Sequence, residues 1–193
     1  MTSILKADNI QDADGNNIIN ESSNTITIGA SGDTTNVIGT LNKDGVAVTN
    51  TPSFQAYLNA NQGSISSGTY TKVAFDTEVF DSDGNFDTST SRFTPTTAGK
   101  YLCYTLVGNS FSGGSPDDLR TIFYFNGSEL ANMRPTQLRD YGGAGLALAL
   151  TQQVQAIITF NGSSDYLEVY ARNDGTPQFN SDSIFGAYRL IGA

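Results

Sequence analysis

From Phe54 onward the apolar positions come in short runs with a period of two. Thr71–Val79 sets Val73, Phe75, Thr77 and Val79 on one face and Lys72, Asp76 and Glu78 on the other, which predicts one half-buried strand. Asp165–Arg172 alternates in the same way, with Leu167, Val169 and Ala171 facing one side. Tyr101–Val107 is apolar on both faces, as expected of a strand covered by a second sheet and by a neighbouring subunit. Ser183–Ile191 reads as a last strand. Asn126-Gly127 and Asn161-Gly162 interrupt these runs with the positive φ angles that tight hairpin turns demand. Strands at a spacing of about 8–12 residues, without a long amphipathic helix, predict an all-β sandwich or jelly roll.

The first ~50 residues follow another pattern. Small apolar patches (Ile18-Ile19, Ile26 with Ile28, Val37-Ile38, Val46 with Val48) are separated by polar turns at Asp14-Gly15, Ser31-Gly32-Asp33 and Asp44-Gly45, and no aromatic residue precedes Phe54. Each patch suits a short strand, but none brings enough apolar surface to stand alone. The regular Ile/Val spacing favours a segment ordered by its neighbours, such as one third of an intertwined trimeric shaft. Pro52 marks the boundary between this segment, residues 1–50, and a packed domain over 51–193.

Composition narrows the chemistry. Hydrophobic residues are 38% and charged residues 15% of the 193, and 9 Tyr with 11 Phe are enough to fill a sandwich core. Ten basic against nineteen acidic residues give a net charge of −9 with no basic stripe, which argues against a nucleic-acid partner and against anionic membranes. There is no His, so the commonest general base and metal ligand is missing. Cys103 is the only cysteine and stands in an apolar run, which reads as a buried packing residue and excludes an intrachain disulfide. Met1–Asp8 carries no secretory pattern, and Gly145–Leu150 is too short to span a bilayer.

A family resemblance rests on spaced aromatics. Phe75, five residues, Asp81, four residues, Phe86, six residues, Phe93, five residues, Gly99, one residue and Tyr101 match all six positions of the C1q-domain signature. That pattern expects Phe where Cys103 stands and an aromatic where Thr105 stands. Ser53–Tyr57 resembles the family's opening strand, Asp87–Pro95 its Asp-Pro-Ser-Thr-Gly-x-Phe-Thr-x-Pro block, with Thr88 and Ser91 in place of Pro and Gly, and Ile184–Leu190 its closing strand, with Ala187 in place of Gly. Over residues 54–193 the resemblance implies a ten-stranded C1q/TNF-like jelly roll that forms homotrimers and binds through exposed loops. Phe75, Phe86, Phe93 and Tyr101 become its core anchors. Separately, Leu5–Asn17 followed by Thr25–Asp33 resembles the opening of virion structural proteins of phages of marine bacteria, where such segments precede fibre domains.

Asp81, Asp83 and Asn85 have the odd-position spacing of a calcium loop, but Phe86 and Arg92 stand where an EF-hand needs Gly and Glu. A turn explains the trio, as it explains Asp12, Asp14 and Asn16. Some C1q-like trimers bind calcium, which is the one cofactor the resemblance leaves open. No spacing selects a catalytic carboxylate pair, and Gly142–Gly145 lacks the Lys and helix of a phosphate loop, so no enzyme is expected. Asn126-Gly-Ser128, Asn161-Gly-Ser163 and Asn20-Glu-Ser22 match a glycosylation sequon, but the first two are accounted for as turns.

The resulting expectation is a trimeric phage fibre or fibre tip in the virion. Its first 50 residues would meet other virion proteins and its knob would meet a host-surface glycan or protein. The polar, glycine-rich loops Ser112–Asp118 and Arg139–Gly143 are the candidate contacts, in particular Ser112, Gly113, Asp117, Asp118, Arg139, Asp140 and Tyr141. A head-decoration or connector protein and a secreted C1q-like lectin are the alternatives.

Overall fold

The computed structural model describes residues 9–11, 13, 17–22, 25–29, 32–43, 46–111, 119–130, 150–173 and 177–190. The chain divides into two compact units, Met1–Val48 and Thr49–Ala193.

In the first unit, β1 (Asn9–Gln11), β2 (Asn17–Ser22) and β3 (Thr25–Ile28) form an antiparallel sheet. Ile10, Ile19 and Ile28 lie opposite one another on a single rung, at 40%, 37% and 58% exposure. Among the described residues of this unit no second sheet faces that rung, and a sheet of three short strands is marginal without one. β4 (Asn42–Lys43) and β5 (Val46–Ala47) pair as a small hairpin. Val37-Ile38 departs from the expected strand: it is irregular and exposed, within a run of Thr, Asn and Gly that supplies no alternating partner.

The second unit is a sandwich of two antiparallel sheets. The first sheet runs β14 (Leu150–Phe160), β11 (Gly99–Phe111), β17 (Ile184–Arg189), β6 (Ser53–Tyr57), β8 (Thr77–Asp81), with β16 (Pro177–Phe179) paired to the end of β11. The second runs β13 (Ser128–Glu129), β12 (Leu119–Phe125), β15 (Leu167–Asn173), β10 (Arg92–Phe93), β9 (Phe86–Asp87), and β7 (Thr71–Lys72) shares an edge of β15 with β10.

The anchors meet between the sheets. Phe54 is stacked on Phe86 (4.7 Å) and on Phe93 (4.5 Å) and takes the edge of Phe185 (4.9 Å). Tyr101 and Phe160 continue the cluster, and Phe54, Phe75, Phe93 and Tyr101 have no exposed surface. Cys103 and Thr105, the two departures from the aromatic pattern, are buried on β11, and Thr105 Oγ1 donates to the Ile184 carbonyl at 2.8 Å. At one end a polar clamp joins the sheets: Gln152 Nε2 donates to the Leu119 carbonyl at 2.8 Å and Gln152 Oε1 accepts from Thr121 at 3.0 Å.

Two local expectations are corrected. Thr71–Val79 is not one strand: β7 belongs to one sheet and β8 to the other. Val73 and Phe75 reach the core at the crossing, and a register shift opposite Gln55/Ala56 leaves Val79 59% exposed. Asn126-Gly127 is the expected hairpin turn, with φ of 51° and 77° between β12 and β13. Asn161-Gly162 is not, because it carries the chain from β14 in one sheet to β15 in the other. There Asn161 Oδ1 accepts from the backbone N–H groups of Ser163, Ser164 and Asp165, closing an Asx-type turn. Gly162, at φ 73°, packs where a side chain would collide with the Thr97-Ala98 backbone.

Candidate functional site

The seven residues singled out in the loops, Ser112, Gly113, Asp117, Asp118, Arg139, Asp140 and Tyr141, lie outside the described residues. The strands that carry these loops are described. Phe111 and Leu119 flank the first loop, and Leu150 follows the second. Asn109 is the register partner of Leu150, and the Gln152 clamp ties β14 to Leu119, so these strand ends converge at one end of the sandwich. The Asp81–Asn85 segment is a turn: Asp81 Oδ2 accepts from the Phe86 N–H at 2.7 Å, and Asn85 Oδ1 accepts from the Thr96 N–H at 2.8 Å. Among the described residues no group of three or more acidic or Cys side chains is placed to hold a metal.

The outward faces of the two sheets differ in chemistry. On the first, the pairing of β14, β11, β17 and β6 builds three adjacent rungs. They are Ile157–Leu102–Tyr188–Ser53, Gln155–Tyr104–Gly186–Gln55 and Gln153–Leu106–Ile184–Tyr57, and none contains a charged residue. Ile157 is 57% and Tyr188 38% exposed. Tyr104 lies over Gly186 so closely that a Cβ there would collide with its hydroxyl end. Burial, with Tyr188 adding to it, raises the Tyr104 pKa above the usual phenol value.

The second outward face carries charge and aromatic rings. Glu168, 2% exposed, accepts from Lys72 Nζ at 2.7 Å and from Arg92 Nε and Nη2 at 3.0 and 2.9 Å. The Arg92 guanidinium covers the Tyr166 ring at 3.7 Å from its centroid. Tyr124 and Tyr170 stack at 4.0 Å, and Tyr70 meets Tyr124 edge-on at 6.3 Å. Burial, followed by Glu129, Tyr70 and Tyr170, raises the Tyr124 pKa. This group was not among the expected sites, because its members come from separate strands. The one signal in the sequence is the alternation of β15, which turns Glu168, Tyr170 and Arg172 the same way.

No family model matches the chain, and no curated protein matches it in sequence. Solved structures do. Two crystal structures of murine APRIL, at pH 8.5 and pH 8.0, align over 72% of this chain and 98% of theirs, with TM-scores of 0.51 and 0.52 at 11% and 12% identity. The domain is a TNF-like jelly roll. Eiger TNF from S. frugiperda aligns more loosely, at TM-score 0.46 and 14% identity over 72% of this chain and 95% of its own. At these identities the likeness concerns the backbone arrangement of the jelly roll and not its surface chemistry.

Proposed function

We propose that the chain is a homotrimeric fibre or fibre-tip protein of a phage virion, whose jelly roll attaches to a host surface. The observation that carries the assembly is the charge-free patch of three rungs on the first sheet. An antiparallel sheet that faces water on one side ordinarily alternates apolar-in and polar-out. Here Leu102, Leu106, Ile157, Ile184 and Tyr188 face outward, and contiguous apolar surface of this kind marks a subunit contact. TNF-like jelly rolls are known as homotrimers, and closed threefold symmetry covers this patch on every copy.

The same symmetry accounts for the first unit. Three copies brought side by side cover the Ile10–Ile19–Ile28 rung that one copy leaves open. The resemblance of this segment to phage virion proteins supports its reading as stalk and attachment to other virion proteins. The work is structural and adhesive, without catalysis.

Light scattering on the full chain tests the assembly. The expected mass is three times 20.5 kDa. Ile157→Glu places a charge in the patch at a position 57% exposed in the single chain, so it should give monomers with an unchanged far-ultraviolet spectrum. A wild-type monomer, or a trimer unaffected by Ile157→Glu, argues against this interface. Binding of the wild-type protein to host cells tests the attachment role separately.

A further inference from the structure

The two outward faces suit different tasks, and the second sheet's face has the chemistry of a ligand surface. Its outward positions follow from register: Arg120 opposite Arg172, Tyr124 opposite Glu168, Lys72 opposite Tyr170 and Arg92 opposite Asp87. This face gathers Lys72, Arg92, Arg120 and Arg172 from a chain with ten cations, and Asp87, Glu129 and Glu168 from nineteen carboxylates. Among the described residues, four cations against three carboxylates on this face contrast with the net −9 of the whole chain.

Two of these carboxylates are already committed. Glu168 is buried beneath Lys72 and Arg92, and Asp87 accepts from Ser89 and Thr90 within its own turn, which holds its pKa below the usual range. Lys72 spends its N–H groups on Glu168 (2.7 Å) and the Thr90 carbonyl (3.2 Å), which leaves a donor toward solvent. Arg92 uses Nε and Nη2 on Glu168 and keeps its Nη1 edge. Lys72 and Arg92 side chains are 31% and 37% exposed. Beside them lie Tyr70, Tyr124 and Tyr170, each half-buried, packed ring against ring as one aromatic cluster.

We infer that this face binds an acidic polysaccharide, with sugar rings lying on the Tyr70–Tyr124–Tyr170 cluster and sugar carboxylates reaching Lys72 and Arg92. Aromatic surface takes the apolar C–H face of a pyranose ring, and the cations fix the carboxylate through charge-assisted hydrogen bonds. A nucleic acid is disfavoured, because its run of phosphates needs a continuous basic stripe, which the sequence lacks. The inference rests on the attachment reading above and names the surface and the ligand class it would use.

The test is calorimetric titration of the full-length protein at physiological salt, where repulsion from distant charges is screened beyond about 8 Å. The probes are alginate as carboxylated polysaccharide, dextran as neutral polysaccharide and polyglutamate as an anion without sugar rings. Alginate should bind, and dextran and polyglutamate should not. Lys72→Gln leaves Arg92 on Glu168, so it should keep the fold and weaken alginate binding by about tenfold, the ratio for one charge-assisted hydrogen bond. Tyr124→Ala should weaken it comparably. Absence of alginate binding, equal binding of polyglutamate, or undiminished binding by a folded Lys72→Gln protein would overturn the inference. If cells are bound equally by wild type and Lys72→Gln, this face is not the contact while the attachment reading stands. If neither protein binds cells, attachment itself is wrong.

Discussion

Phe54→Ala is expected to cost about 3–5 kcal/mol of stability, the range for removing a fully buried aromatic side chain. Phe54 rises from β6 in one sheet and stacks on Phe86 and Phe93 from the other, while Phe185 of its own sheet meets it edge-on. Its removal takes away ring contacts on three sides and opens a void between backbones tied by β-ladders, which limits collapse. Urea unfolding at fixed protein concentration should show a lower midpoint with an unchanged slope. A loss below about 1 kcal/mol would mean that the interior repacks freely around this position and that the aromatic cluster is not what joins the layers.

The second large effect is alkaline. Stability should begin to fall near pH 9 and drop steeply above pH 10. Burial pushes the Cys103 thiol far above its ordinary value of 9.0. Tyr101 is pushed from 10.0 up to about 12, chiefly by burial, with Arg189 opposing and Asp83 and Cys103 adding to the rise. Tyr104 and Tyr124 are raised by burial as well. In each case the folded chain keeps a proton that the unfolded chain loses. The stabilisation is therefore complete below the unfolded pKa and disappears as pH climbs toward the folded one. For the thiol the loss starts near 9.0, and for Tyr101 it runs between 10.0 and about 12. Each group contributes up to about 1.4 kcal/mol per pH unit within its window, less where the hydroxyl stays near solvent. Denaturation series at pH 8, 9, 10 and 11 should show wild type declining from the second step, and Cys103→Ala flat until tyrosine ionisation begins. Parallel curves for the two proteins between pH 9 and 10 would remove the thiol from this account.

The fold was legible where a residue's role depends on its own strand. Phe75, Phe86, Phe93 and Tyr101 carry enough apolar area to declare themselves as core, and the structure buries all four. Leu167, Val169 and Ala171 follow their period of two into the interior. The reading failed where the chain changes sheets. Thr71–Val79 keeps its alternation on paper, but the crossing after Lys72 and the bulge opposite β6 turn Val79 to the surface. Asn161-Gly162 has the composition of a hairpin turn, yet the strands it joins do not pair, and partner choice is not a local property. The candidate surfaces were hidden for the same reason. Gly186 beneath Tyr104, and Glu168 between Lys72 and Arg92, are juxtapositions of residues more than seventy positions apart. Each member alone reads as an ordinary strand residue or a solvated charge.

Cys103 has a practical consequence beyond stability. The chain has one cysteine, and in the folded domain it is sealed inside the sandwich with its thiol protonated. To a maleimide the native protein is thiol-free, since the thiolate is the reacting species. A cysteine introduced at an exposed position away from the proposed subunit contact, such as Ser128, can therefore be labelled alone, without first mutating the native one. In the opposite sense, the slow modification of Cys103 itself becomes a clock. Its rate counts the moments at which the two sheets part, a motion that a static picture of the sandwich does not record.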